Sequence, residues 1–232
     1  MDHKRLTLFA GHYGSGKTNI AVNYALALAK EGKQVVIADL DIVNPYFRTA
    51  DSAKELQAAG VALVSPQFAN SNVDLPALPA EAYRLVQDQS RWAVMDIGGD
   101  DRGAYALGRY VPYIKEENNY RMVFVANASR PLTRTPEDAL EVMREIETAC
   151  GLNFTCIVNN TNLASETTPE TVTNSLAYIE ELCRLSGLPL WLHTAEASVA
   201  AKLTLPNVFP LRLQEKYFDL PSQKPGNRPL WG

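Results

Sequence analysis

The residues best suited to chemistry stand together near the N-terminus: Gly11-His12-Tyr13-Gly14-Ser15-Gly16-Lys17-Thr18, a match to G-x-x-x-x-G-K-[ST]. This spacing suits phosphate. Gly11, Gly14 and Gly16 let the backbone wind until its N–H groups converge on phosphate oxygens, with Ser15 and Asn19 lining the same loop. Lys17 adds a positive charge at the β- and γ-phosphates, and Thr18 offers a hydroxyl to Mg²⁺. A helix starting here aims its positive end at the anion. The bland alternative is a glycine-rich turn that binds nothing. Its position where a predicted strand turns into a predicted helix argues against that.

Two acidic strand ends add what a metal-bound triphosphate needs besides the loop. Asp96 ends the apolar run WAVMD and begins Asp96-Ile97-Gly98-Gly99, a D-x-x-G pattern. Its carboxylate can hold the Mg²⁺ shell, and the Gly99 N–H can meet a γ-phosphate. Asp39 and Asp41 close another apolar run, and strand alternation puts both carboxylates on one side. One can support the metal while the other orients an attacking water. Either aspartate strand end would also serve as an ordinary solvated acid. Their weight comes from following the loop at α/β distances.

The elements that must carry these residues read as alternating apolar runs and helical stretches. Leu6–Ala10, Gln34–Asp39, Val61–Ser65, Trp92–Ile97, Arg121–Ala126 and Phe154–Val158 have strand length. Runs that are apolar throughout imply burial on both faces, as in a parallel sheet covered by helices. Asn19–Lys30, Ser52–Ala59 and Pro136–Ala149 read as helices. Thr135, Pro136, Glu137 and Asp138 form an N-terminal signal that Thr168-Pro169-Glu170 repeats before a second long helix. The predicted fold is α/β: a doubly wound, mostly parallel sheet with helices on both faces. Residues 1–219 read as one nucleotide-binding domain and residues 220–232, with Pro221, Pro225 and Pro229, as an extended tail.

Composition narrows the classes. The 232 residues carry 22 Lys+Arg against 26 Asp+Glu, a formal charge of −4, with 46% hydrophobic and 21% charged residues. That excludes wholesale disorder and argues against nucleic acid held by a general positive field. No apolar run approaches the roughly 20 residues that span a bilayer, and no start resembles a signal peptide. Cys150, Cys156 and Cys183 form no CxxC pair and are odd in number, so a reducing cytoplasm is expected.

The loop at the first strand, the Asp-x-Asp after the second and the later D-x-x-G resemble those of the CobQ/CobB/MinD/ParA-type P-loop NTPases (SIMIBI class). The resemblance covers roughly residues 5–203. It implies ATP and Mg²⁺ as ligands. By position it implies Lys17 and Thr18 on phosphate and metal, Asp39 and Asp96 supporting the metal, Asp41 polarising the hydrolytic water, and Gly99 at the γ-phosphate. Asn159 falls where many relatives hold adenine, though it reads equally well as a strand-end turn residue. Thr194 falls in the loop that wraps the base.

The pattern departs from the MinD/ParA form at His12. Relatives carry a lysine there that reaches the phosphates of a partner subunit in a nucleotide sandwich dimer. An imidazole is shorter and mostly neutral at pH 7, so it replaces that cation poorly. The loop is similar to the G-x-x-G-S-G-K-T of metallochaperone GTPases, but Asn159-Asn160-Thr161-Asn162 is not their guanine-reading N-K-x-D. His3, His12 and His193 are scattered rather than clustered. ATP is therefore favoured over GTP. No cysteine pair suits a [4Fe–4S] cluster, the proline-broken tail suits no membrane anchor, and Lys202, Arg212 and Lys216 are too sparse for DNA.

The expected function is Mg-dependent ATP binding and hydrolysis, serving as a switch or loading factor for a protein client, with homodimerisation among its modes. Lys17 and Asp41 are the expected catalytic residues. Pro45-Tyr46-Phe47-Arg48 and Asp100-Asp101-Arg102-Gly103 are the expected switch segments. One alternative is a small-molecule kinase or ATP-dependent ligase of the dethiobiotin-synthetase type, with Arg48 and Asp100–Arg102 on the acceptor side. Another is a non-hydrolysing nucleotide sensor, suggested by His12. His193 and Glu196 have His-x-x-Glu spacing but no third ligand nearby, so a strand-to-loop histidine beside a helix cap is the favoured reading. Cys183 shares a helical stripe with Val172, Leu176 and Ile179 and reads as core packing.

Overall fold

The structure is a computed structural model that describes residues 3–40, 49–64, 81–99 and 101–213. Along the chain come β1 (Leu6–Ala10), α1 (Lys17–Lys30), β2 (Val35–Leu40), α2 (Ala53–Ala58), β3 (Ala62–Val64), α3 (Glu81–Gln87) and β4 (Trp92–Ile97). Next are α4 (Asp101–Gly108), α5 (Val111–Glu117), β5 (Tyr120–Ala126), α6 (Pro136–Cys150) and β6 (Cys156–Asn159). The last are α7 (Pro169–Thr173), α8 (Leu176–Ser186), β7 (Leu190–Glu196), α9 (Ala197–Ala200) and β8 (Val208–Leu211). The strands form one sheet in the order β3-β2-β4-β1-β5-β6-β7-β8. Every neighbouring pair is parallel, so the expected mostly parallel sheet is parallel throughout.

Alternation along β1 shows how the sheet is covered twice. Leu6, Leu8 and Ala10 face one core with Phe124 and Met95, under Leu107 of α4, Ile114 of α5 and Met143 of α6. Phe9 turns to the other core, with Ile20, Tyr24 and Leu28 of α1 and Leu56 of α2. The connection after β1 crosses on one face and the connection after β5 on the other. The winding therefore reverses around β1, and a crevice opens outside the strand carboxyl ends at such a reversal. The phosphate loop sits there.

The helix signals behave as their chemistry dictates, with one exception. The Thr135 hydroxyl accepts from Asp138 N, the Asp138 carboxylate accepts from Thr135 N, and Gly151 ends α6 at φ 72°. The second long helix, in contrast, is divided at Asn174–Ser175 into α7 and α8. The bend has a polar cause: the buried Ser175 hydroxyl donates to Val172 O at 2.7 Å and accepts from the Asn159 side chain at 2.9 Å. Strands β7 and β8 lack the all-apolar pattern, because β7 carries His193 and Thr194 and β8 carries an exposed Pro210.

At the opposite ends of the strands, Arg5 is buried just before β1. Its Nη1 donates to the carbonyls of Leu85 (3.1 Å), Asp88 (3.3 Å) and Arg91 (2.9 Å), and its Nε and Nη2 pair with the Glu117 carboxylate. One side chain thus ties α3, the turn before β4 and the end of α5 to the first strand. Among the described residues no helix is long and apolar enough to cross a membrane. The tail at 220–232 lies outside the described residues.

Candidate functional site

The loop between β1 and α1 is closed by Ser15 N donating to His12 O at 3.1 Å, and Ile20 N donating to Gly16 O at 3.2 Å opens the helix. Glycine is needed at its two ends. A Cβ on Gly11 (φ 154°) would lie 2.6 Å from Val125 O, and one on Gly16 (φ 90°) would lie 2.2 Å from Asn160 Nδ2. The loop is therefore walled by the end of β5 and by Asn160. Gly99, just after β4, packs against it as well: a Cβ there would sit 2.7 Å from Tyr13 N and 3.0 Å from Gly11 O. Lys17 and Thr18 start α1 and are both buried. Ser15 Oγ is buried with no hydrogen-bond partner among the described residues. A cradle of backbone N–H groups with an unanswered hydroxyl fits a phosphate oxygen.

Asp39 of β2 and Asp96 of β4 are register partners on adjacent strands, both buried, and Asp96 is also paired with Phe9 of β1. The Thr49 hydroxyl donates to Asp96 Oδ2 at 3.1 Å, which fixes the carboxylate. With the Thr18 hydroxyl these are hard oxygen donors of the kind Mg²⁺ takes. Asp41, the segment Pro45–Arg48 and Asp100 lie outside the described residues.

Side-chain hydrogen bonds connect β6 and β7 to the loop. Asn159 ends β6 with its carboxamide turned inward: Nδ2 reaches Ser175 Oγ at 2.9 Å and His193 Nδ1 at 3.2 Å, and Oδ1 accepts from Thr161 N at 3.1 Å. Its neighbour Asn160 is the residue that touches the loop, donating to Ser15 O at 2.6 Å. The Thr194 hydroxyl donates to Asn160 Oδ1 at 2.7 Å, so Thr194 meets the loop through Asn160. Burial holds the His193 imidazole below its ordinary pKa and keeps it neutral, which lets Nδ1 accept from Asn159. Glu196 instead caps α9, accepting from Ser198 N at 2.9 Å. Asn19 lies in the first turn of α1 with its carbonyl bonded by Asn23 Nδ2 at 2.8 Å. The His12 ring Nδ1 lies 3.0 Å from Tyr13 O, and the Tyr13 side chain is 51% exposed at the loop apex.

Three residues at this site carry no signal as strong as the loop's. Asn160 is a neighbour of the asparagine that the sequence singles out. Thr49 and Arg130 belong to no motif. A groove of about 410 Å³ opens beside this region, lined by residues that include Ser129, Thr161, Leu163, Thr171 and Ser175.

No family model matches the sequence. A curated relative, the cytosolic Fe-S cluster assembly factor cfd1 of Emericella nidulans, is 30% identical over 96 residues, which are 41% of this chain and 27% of that protein. Cell division protein ftsY from Thermotoga maritima aligns in structure with a TM-score of 0.59 at 18% identity, covering 82% of this chain and 61% of its own. The signal recognition particle receptor FtsY from Elizabethkingia anophelis, solved in complex with GDP, aligns with a TM-score of 0.50 at 14% identity, covering 84% and 58%. The chain thus spans about 60% of these solved structures and about a quarter of the curated relative. That relative is named for Fe-S cluster assembly, whereas the three cysteines of this chain form no CxxC pair. Here Cys150 and Cys156 are buried in α6 and β6 and Cys183 is half-buried in α8, all as free thiols. Among the described residues no group of three His, Cys, Asp or Glu side chains is arranged to hold a metal ion. Sheet order, loop position and structural likeness together give this chain a P-loop NTPase-like fold.

Proposed function

We propose that the protein is a cytoplasmic, Mg-dependent ATPase whose nucleotide state controls or loads a protein client. The observation that carries this reading is the convergence of the glycine loop, the buried Lys17 and Thr18, and the in-register carboxylates Asp39 and Asp96 at the switch point of the sheet. Loop N–H groups and Lys17 bind the β- and γ-phosphate oxygens and hold the γ-phosphorus in place. Thr18, Asp39 and Asp96 would hold Mg²⁺, which supplies charge neutralisation along the triphosphate. Asp41 accepts a hydrogen bond from water and orients it. Water then forms the new P–O bond as the bond to the β-phosphate oxygen breaks, giving ADP and inorganic phosphate. Gly99, pressed against the loop, senses the γ-phosphate. The base lies on the β6–β7 side of the loop, beside Asn160, which the Thr194 hydroxyl holds in place while the Asn159 carboxamide faces inward. ATP is assigned over GTP because no N-K-x-D follows β6.

Isothermal titration with ATP and GTP in Mg²⁺ tests the reading. ATP is expected to bind the wild type and not Lys17→Ala, while Asp41→Ala binds ATP and releases no phosphate. Wild-type protein that binds no nucleotide would overturn it. Phosphate released to water without an added acceptor separates the ATPase from a small-molecule kinase or ligase. Size-exclusion chromatography with ADP against a non-hydrolysable ATP analogue asks whether a homodimer forms despite His12.

A further inference from the structure

Arg130 lies in the connection between β5 and α6, with its backbone fixed from both sides. Its N–H donates to Asn127 O at 3.2 Å, its carbonyl accepts from Thr133 N at 3.1 Å, and the buried Thr133 hydroxyl donates to Asn127 O at 2.8 Å. Asn127 is fully buried in turn, its Oδ1 accepting from Ser129 N at 3.0 Å and Asn162 N at 3.4 Å. This turn lays the arginine side chain over the phosphate loop. Its Nε, Cζ and Cδ stand 3.4, 3.5 and 3.7 Å from where a Cβ on Gly14 would be. Nε is sealed from solvent and has no hydrogen-bond partner among the described residues. A buried guanidinium N–H without an acceptor is unfavourable, and a group left in that state calls for an acceptor from outside the fold. Ser15 Oγ, the next residue's hydroxyl in the same loop, is buried and unanswered in the same way.

We propose that Arg130 is a second cationic clamp on the phosphate chain of the bound nucleotide, acting from the connection after β5 alongside Lys17. The inference rests on the reading that this loop binds ATP. A guanidinium is always charged and offers a planar fork of donors matched to phosphate oxygens. It supplies from within the chain a cation beside a loop whose second residue, His12, is not a lysine. Phosphate neutralisation then needs no residue from a second subunit.

The test is titration of Mg·ATP into the wild type, Lys17→Ala, Arg130→Met and Arg130→Lys, with the unfolding midpoint of each measured without nucleotide. Methionine keeps an unbranched chain over Gly14 and removes the charge. Arg130→Met is expected to weaken ATP binding by about ten- to a hundredfold, the range for hydrogen bonds to charged groups, with its midpoint unchanged or raised. Arg130→Lys recovers part of that loss, which a purely structural role would not produce. ATP affinity within about twofold of wild type in Arg130→Met, while Lys17→Ala abolishes binding, would overturn the clamp and leave the ATP reading standing. An affinity loss matched by a lowered midpoint and not recovered by lysine would also overturn it. Wild type that binds no ATP would overturn the underlying reading and the clamp together.

Discussion

Two arginines, one at each end of the sheet, are held in opposite ways. Arg5, beneath the start of β1, has its donors met by the Glu117 carboxylate and three main-chain carbonyls from the α3–β4 region. Arg130, beside the loop after β1, keeps a buried Nε that no described residue answers. The same side chain fastens the fold at one end and leaves a donor open at the other. A charge whose partners all belong to the chain contributes to stability, and removing it strands those partners. A buried donor without a partner costs stability, and its presence points to recognition.

The largest expected effect comes from breaking the fastened end. Arg5→Ala leaves Glu117 buried and unpaired and is expected to cost about 3–5 kcal/mol, read by urea denaturation. Arg5→Lys should recover little, because an ammonium cannot span a carboxylate and three carbonyls in the guanidinium's geometry. A loss below about 1 kcal/mol for Arg5→Ala would place it among surface ion pairs and dissolve the contrast. Next comes Asn160→Ala, which removes the side-chain partner of Ser15 O and one of the two acceptors of the buried Thr194 hydroxyl. It is expected to cost about 1–3 kcal/mol and to weaken ATP binding in the same titration. Unchanged affinity would show that β6 does not hold the loop in its binding form.

A smaller effect is expected from His193. Its folded pKa lies below the ordinary 6.5, so the unfolded chain binds the proton more readily. The associated stability is complete above about pH 6.5 and is lost as pH falls from there through the folded value. His193→Gln should flatten that acid slope in thermal melts, and a slope identical to wild type would assign it elsewhere. The last prediction sharpens the contrast most: Arg130→Met should lower stability by no more than about 0.5 kcal/mol, because it removes a buried donor that no described residue answers.

The sequence makes the phosphate loop legible because its chemistry is contiguous: eight successive residues define both the backbone path and the charges. Five of the six predicted strands are legible for a related reason, since burial on both faces leaves an unbroken apolar run; the edge strand β3 is apolar but exposed or half-buried. β7 and β8 escape that logic, because β7 carries a buried polar pair and β8 a proline. Asn160 and Asn159 show a finer limit. Both are asparagines at the end of one strand, and which carboxamide reaches the loop depends on where the strand stops pairing. Arg130 has no local mark at all. Its meaning comes from β5 lying beside β1, a neighbourhood fixed by sheet order and by no spacing along the chain.

The edge strand β8 bears on how copies of this protein can meet. Asn207 O accepts from His193 N at 3.0 Å, so the backbone groups of residues 207, 209 and 211 face β7 and those of 208 and 210 face outward. Position 210 is proline, which deletes an outward N–H from the open ladder. An incoming strand would find a gap where it needs a donor. Growth of the sheet from one molecule to the next, the open-ended stacking that turns exposed edges into aggregates, is thus disfavoured along the described edge of β8.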